Sequence, residues 1–131
     1  MRYKQLESDI YKSVARYLTQ TYPHLFWRFD FAAGTKLGRK QAGQHRAMNP
    51  HKGYPDLFIA QPIGSKHGLF IEIKRSDKTP FKRNGQLKSD EHLIQQESVL
   101  KDLQLIGYAA TFAVGHQDVI DKIELYLSGK L

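Results

Sequence analysis

The 131-residue sequence contains no cysteine. A disulfide framework, a thiolate metal site and a cysteine nucleophile are therefore excluded, and a reducing interior such as cytoplasm suits the chain. No apolar run approaches the roughly 18 residues a membrane span needs, and the N-terminus is not a charged-then-apolar leader, so neither a membrane helix nor a cleaved signal peptide is expected. Internal repeats and low-complexity tracts are absent as well. Acidic residues are scarce in two places. Residues 34–52 carry Lys36, Arg39, Lys40, Arg46 and Lys52 with no acid, and residues 74–88 carry Lys74, Arg75, Lys78, Lys82, Arg83 and Lys88 against Asp77 alone. These windows hold eleven of the 20 Lys and Arg and one of the 13 Asp and Glu, a charge of +10, so the rest of this +7 chain sums to −3. Basic charge gathered in this way points to a polyanion, most simply nucleic acid.

What is present is a folded composition. A hydrophobic fraction of 40% is a globular value, and the length fits a single domain over residues 1–131. In KQLESDIYKSVARYLTQ (4–20), Leu6, Ile10, Val14 and Leu18 recur every fourth residue, which predicts an amphipathic helix. WRFDF (27–31) alternates as a half-exposed strand does. The following AGTKLGRKQAGQHRAMNPHKG has four glycines, one proline and no period, and reads as a long basic loop. LFIA and LFIEI predict two strands joined by a turn around Pro62, Gly64 and Gly68. Ser89 is a plausible N-cap for a helix to about Ile106, with Leu93, Leu100 and Leu103 on its stripe and Gly107 just past its end. A strand at 108–114 and a helix at 117–128, with Val119, Ile120, Ile123 and Leu127 inward, complete an α/β sandwich around a mixed sheet of about four strands.

The stretch GYPDLFIAQPIGSKHGLFIEIKR (53–75) holds a contradiction. It has the apolar content of two buried strands, yet Asp56 opens the first, and Glu72 and Lys74 share one face at the end of the second. If the strands form a hairpin, Asp56 and Glu72 converge. Two carboxylates held together repel unless one is protonated or a cation neutralises both. An all-oxygen site suits a hard divalent ion, Mg²⁺ or Mn²⁺, and the Ile73 carbonyl is near enough to add a ligand. Such an ion can polarise a phosphodiester and acidify a bound water, with Lys74 placed to orient that water and stabilise transition-state charge. Glu7 and Gln96 interrupt the apolar stripes of their helices and are candidates to complete a polar site over the sheet.

The pair Pro55-Asp56 followed by Glu72-Ile73-Lys74 matches the PD-(D/E)xK motif of a large nuclease superfamily. The longer pattern, Gly53-Tyr54-Pro55-Asp56-Leu57, Ile71-Glu72-Ile73-Lys74-Arg75, and Gln96 followed by Leu103 and Gly107-Tyr108, resembles the VRR-NUC family of virus-type replication–repair nucleases, over roughly residues 5–127. The resemblance implies a restriction-endonuclease-like sandwich and cleavage of DNA dependent on Mg²⁺ or Mn²⁺. By position, Asp56 and Glu72 would be metal ligands with Ile73 and Glu7, Lys74 the catalytic lysine, and Gln96 the second-helix glutamine. Stand-alone members imply a homodimer acting on branched DNA such as four-way (Holliday) junctions, in a bacterial or phage-infected cytoplasm. From charge alone, Lys36, Arg39, Lys40, Arg46, Arg75, Lys82 and Arg83 are the candidate DNA contacts. A binding module with a vestigial site, or a nuclease acting on RNA or unbranched DNA, is the alternative. His45, His51 and His67 lack ligand spacing, and Trp27, Phe29 and Phe31 read as packing residues before stacking ones.

Overall fold

The computed structural model describes residues 7–30 and 38–131. Lys36, Phe31 and the first three positions of the predicted N-terminal helix lie outside them. The described elements run α1 (Glu7–Thr21), β1 (Trp27–Phe29), α2 (Arg39–Met48), β2 (Leu57–Ile59), β3 (Leu69–Lys74), α3 (Glu91–Leu105), β4 (Ala109–Val114) and α4 (His116–Leu127). The strands form one mixed sheet in the order β1-β2-β3-β4. Antiparallel pairing sets Phe29 opposite Leu57, and Leu57 opposite Ile71. β4 is parallel to β3, with Glu72 beside Phe112 and Lys74 beside Val114. A parallel neighbour requires a crossover, and α3 supplies it.

Alternation along β3 divides the interior into two layers. Leu69, Ile71 and Ile73 face one side, in a cluster with Ile10, Val14 and Leu18 of α1 and Val119, Ile123 and Tyr126 of α4. Phe70 faces the other, with Leu100 of α3 and Ala110 and Phe112 of β4. Each large apolar side chain removed from water stabilises by about 1.5–3 kcal/mol, so the four-residue spacing in α1 decides which way that helix faces. Ile120 and Leu127 are only half-buried, whereas Tyr126 is fully buried and its hydroxyl donates to the Gln61 carbonyl.

α3 begins one residue later than the sequence suggests: Asp90, not Ser89, is the N-cap, its carboxylate accepting from the Leu93 N–H at 3.1 Å. Gly107 closes the helix with φ +101°, and a Cβ there would meet the His67 ring at 2.5 Å. Both the backbone conformation and the close approach select glycine.

The largest departure lies in the expected loop, where residues 39–48 form α2. No α2 residue is buried, so no apolar period marks it. Its Arg, Lys, Gln and Ala content carries good intrinsic helix propensity instead. The Ala42 N–H donates to the Gly38 carbonyl and the Asn49 N–H to that of His45, both at 2.8 Å, and Pro50 follows. The basic segment after β3 is also ordered. Phe81 bridges Leu87, the Lys82 N–H donates to the Gln86 carbonyl at 2.7 Å, and Gly85 turns the chain at φ +85°. The Phe81 ring meets Phe112 edge-on at 5.9 Å, which fastens this arm to the α3 face.

Candidate active site

The antiparallel register carries the start of β2 to the end of β3. Asp56, Glu72 and Gln96 are buried there, at 7%, 4% and 6% exposure. They are the polar residues placed in the interior among the described residues. The Ile73 N–H donates to Asp56 Oδ2 at 2.7 Å. A strand residue's N–H and C=O leave on the same edge in antiparallel pairing, so the Ile73 carbonyl faces the gap that Asp56 occupies. From α3, Gln96 Nε2 donates to Glu72 Oε1 at 2.9 Å. Lys74 Nζ lies 3.7 Å from the same oxygen, with its side chain 13% exposed.

Two acceptors are left over. Glu72 Oε2 and Gln96 Oε1 are buried without a hydrogen-bond partner. An unpartnered buried acceptor is costly, and a buried carboxylate more so. Burial, then the neighbouring Asp56 charge, push the Glu72 carboxyl up to about 9, against the pull of Lys74. Burial also raises Asp56, offset by Tyr11, the Ile73 N–H, Glu72 and Lys74. One positive charge therefore does not suffice for the pair. The donor set, two carboxylates and a main-chain carbonyl, is all oxygen and fits a hard divalent cation that retains several waters.

Glu7 stands at the rim. It is solvent-exposed, yet partial burial and then Asp56 raise its carboxyl, while Lys74, Arg75 and Lys78 pull it down. Among the described residues no three His, Cys, Asp or Glu side chains converge as a ready ligand group, so Glu7 does not close on Asp56 and Glu72 directly. The first turn of α1 sits where the helix emerges into solvent.

Two neighbours escaped the sequence reading. Tyr11 stacks on Phe29 with centroids 4.9 Å apart and carries its hydroxyl to the carboxylates. Burial and then Asp56 raise this phenol, which helps hold Asp56 ionised without a well-aligned hydrogen bond. Its spacing of four from Glu7 was the available signal. His92, four before Gln96, sets its Nε2 3.1 Å from Gln96 Nε2.

The candidate DNA contacts divide. Arg39, Lys40 and Arg46 lie exposed on α2, and Lys82 and Arg83 are exposed at the tip of the arm. Arg75 is not free: its guanidinium grips Asp77 through two bonds of 3.0 and 2.8 Å. Lys36 is outside the described residues. Trp27 and Phe29 meet edge-on at 5.7 Å and pack against the α1–α4 core. Beside Pro55, α2 overhangs an open cleft of about 450 Å³ lined by Arg28, Asp30, His45, Asn49, Tyr54 and Phe58.

A mixed four-stranded sheet with helices on both faces, presenting acid, acid and lysine at the ends of adjacent strands, defines an α/β fold. Among solved structures, the chain is similar to one described as a "VRR_NUC domain protein", with a TM-score of 0.65 and 23% sequence identity, the match covering 98% of this chain and 92% of that one. At this identity the likeness shows a shared fold. No family model and no curated protein matches the sequence. No described helix is long and apolar enough to cross a membrane.

Proposed function

We propose that the chain is a single-domain, metal-dependent endodeoxyribonuclease of the VRR-NUC type, hydrolysing phosphodiester bonds in branched DNA such as four-way junctions. The observation that carries this reading is the burial of Asp56 and Glu72 together beside Lys74, with Glu72 Oε2 and Gln96 Oε1 unpartnered. A binding module has no use for that arrangement. The fold likeness to a "VRR_NUC domain protein" supports it, as does the exposed basic charge of α2 and the arm.

Asp56, Glu72 and the Ile73 carbonyl would hold Mg²⁺ or Mn²⁺, which when bound supplies a Lewis acid for the phosphate and a more acidic water. Lys74 orients the attacking water and faces the negative charge that develops on the phosphoryl oxygens, where a fixed ammonium is more effective than solvent. Gln96 fixes the Glu72 carboxylate through its amide N–H. Tyr11 favours the ionised form of Asp56, and Glu7 adds negative charge at the mouth. Arg39, Lys40, Arg46, Lys82 and Arg83 track the phosphate backbone. A C2 homodimer would present two sites to opposing strands.

The test is cleavage of a labelled four-way junction and of linear duplex, with Mg²⁺, Mn²⁺ or EDTA, alongside Asp56→Ala. The expected result is metal-dependent cutting of the junction that the variant loses. Tight binding without cutting in either metal would replace the hydrolase with a binding module. Equal cutting of both substrates would remove the preference for branched DNA.

A further inference from the structure

The Gln96 side-chain amide makes two contacts through one atom. Nε2 is 2.9 Å from Glu72 Oε1 and 3.1 Å from His92 Nε2, while Oε1 is buried with no partner. An amide nitrogen carries two protons and accepts none. The first goes to Glu72 Oε1, which accepts from Nε2 at 2.9 Å. The second proton then points at His92 Nε2, which can accept it only through a lone pair. The imidazole proton is thereby assigned to Nδ1.

From this geometry we infer that His92 is a positioning residue: accepting from Gln96, it locks the amide with its NH₂ on Glu72 and its carbonyl oxygen turned into the site. The inference rests on the hydrolase reading for its kinetic consequence, though not for the tautomer. Without His92 the amide can rotate, and a donor in place of His92 would favour the reversed orientation, presenting Gln96 Oε1 to the Glu72 carboxylate. The helical spacing of four places both side chains on one face of α3. His92 is exposed, so replacing it leaves no cavity. Interactions that orient a primary group typically matter by one to two orders of magnitude in rate or affinity.

Two measurements test it. In ¹⁵N spectra of histidine-labelled protein at pH 8, His92 is expected as the Nδ1–H tautomer, the minor form of free imidazole, and Gln96→Ala should return it to the Nε2–H form. Kinetically, His92→Ala should lower kcat about tenfold with KM little changed. His92→Gln, whose side-chain carbonyl can accept in the same place, should restore most of that loss. His92→Lys, which can only donate, should not. In a Gln96→Ala background, His92→Ala should have no further effect. An Nε2–H tautomer in the wild type overturns the inference whether or not the chain cuts DNA. So does a normal kcat in His92→Ala, or losses that add in the double variant. A wild type showing the Nδ1–H tautomer but no cleavage upholds the geometry and fails the hydrolase reading alone.

Discussion

Lys74 reaches one oxygen of Glu72, at 3.7 Å, and leaves the other bare. It is thus poorly placed to be a mere counter-ion for the buried pair and well placed at the mouth, with its side chain 13% exposed. Lys74→Ala is expected to reduce single-turnover cleavage by about 10²–10⁴-fold, while affinity for DNA changes by no more than about twofold, because one charge among many sets binding. Cleavage at wild-type rate would move the chemistry elsewhere. Asp56, Glu72 and Lys74 were legible in the sequence because charge inside an apolar strand is expensive, so its presence demands a reason. Tyr11 and His92 were not. An aromatic on a half-buried helix position ordinarily packs, and an exposed histidine is ordinarily solvated. Only the electrostatic pull between Tyr11 and Asp56, and the 3.1 Å approach of His92 to Gln96, separate them from those ordinary cases.

Among the elements, those bounded by apolar periodicity emerged close to expectation: the C-terminal end of α1, carried by Ile10, Val14 and Leu18, and both ends of β3 fall within a residue of it. α2 did not, because a helix that buries nothing writes no period into its sequence. That exposure is what suits it to phosphate. Arg39 and Lys40 begin the helix with no acid in its first turn, an arrangement unfavourable to the helix dipole and therefore better explained by a partner than by stability. Arg39→Glu with Lys40→Glu is expected to weaken DNA binding at least tenfold. It should also lower the slope of log K against log salt by about 2, since each phosphate contact contributes about 0.9. Arg75→Ala should do less, because its guanidinium is already engaged by Asp77. An unchanged salt slope in the double reversal would take α2 out of the interface.

For the molecule as a whole, the site carries a cost that its global stability should report. The sheet places Asp56 and Glu72 between two apolar layers, where Glu72 is held near 9 against an ordinary value of 4.5. Between those values the folded chain keeps a proton that the unfolded chain has released. Its contribution to stability is accordingly present below the unfolded value and lost as pH rises toward the folded one. Asp56 and Glu7 are raised as well and act in the same direction. In EDTA, the wild-type Tm should therefore fall between pH 5 and pH 9 more than that of Glu72→Gln, which keeps the amide's partner but has no charge to bury. At pH 9 the variant should melt at least about 5 °C higher, on the order of 1 kcal/mol or more for a chain of this size. A divalent cation binding only the folded site stabilises by mass action, and it competes with protons for the same carboxylates. Millimolar Mg²⁺ or Mn²⁺ should consequently raise the wild-type Tm more at pH 8 than at pH 5, and raise that of Glu72→Gln much less. Equal pH profiles for the two proteins would mean that Glu72 is ionised and already satisfied within the fold, and the case for a cation between the strands would fall with it.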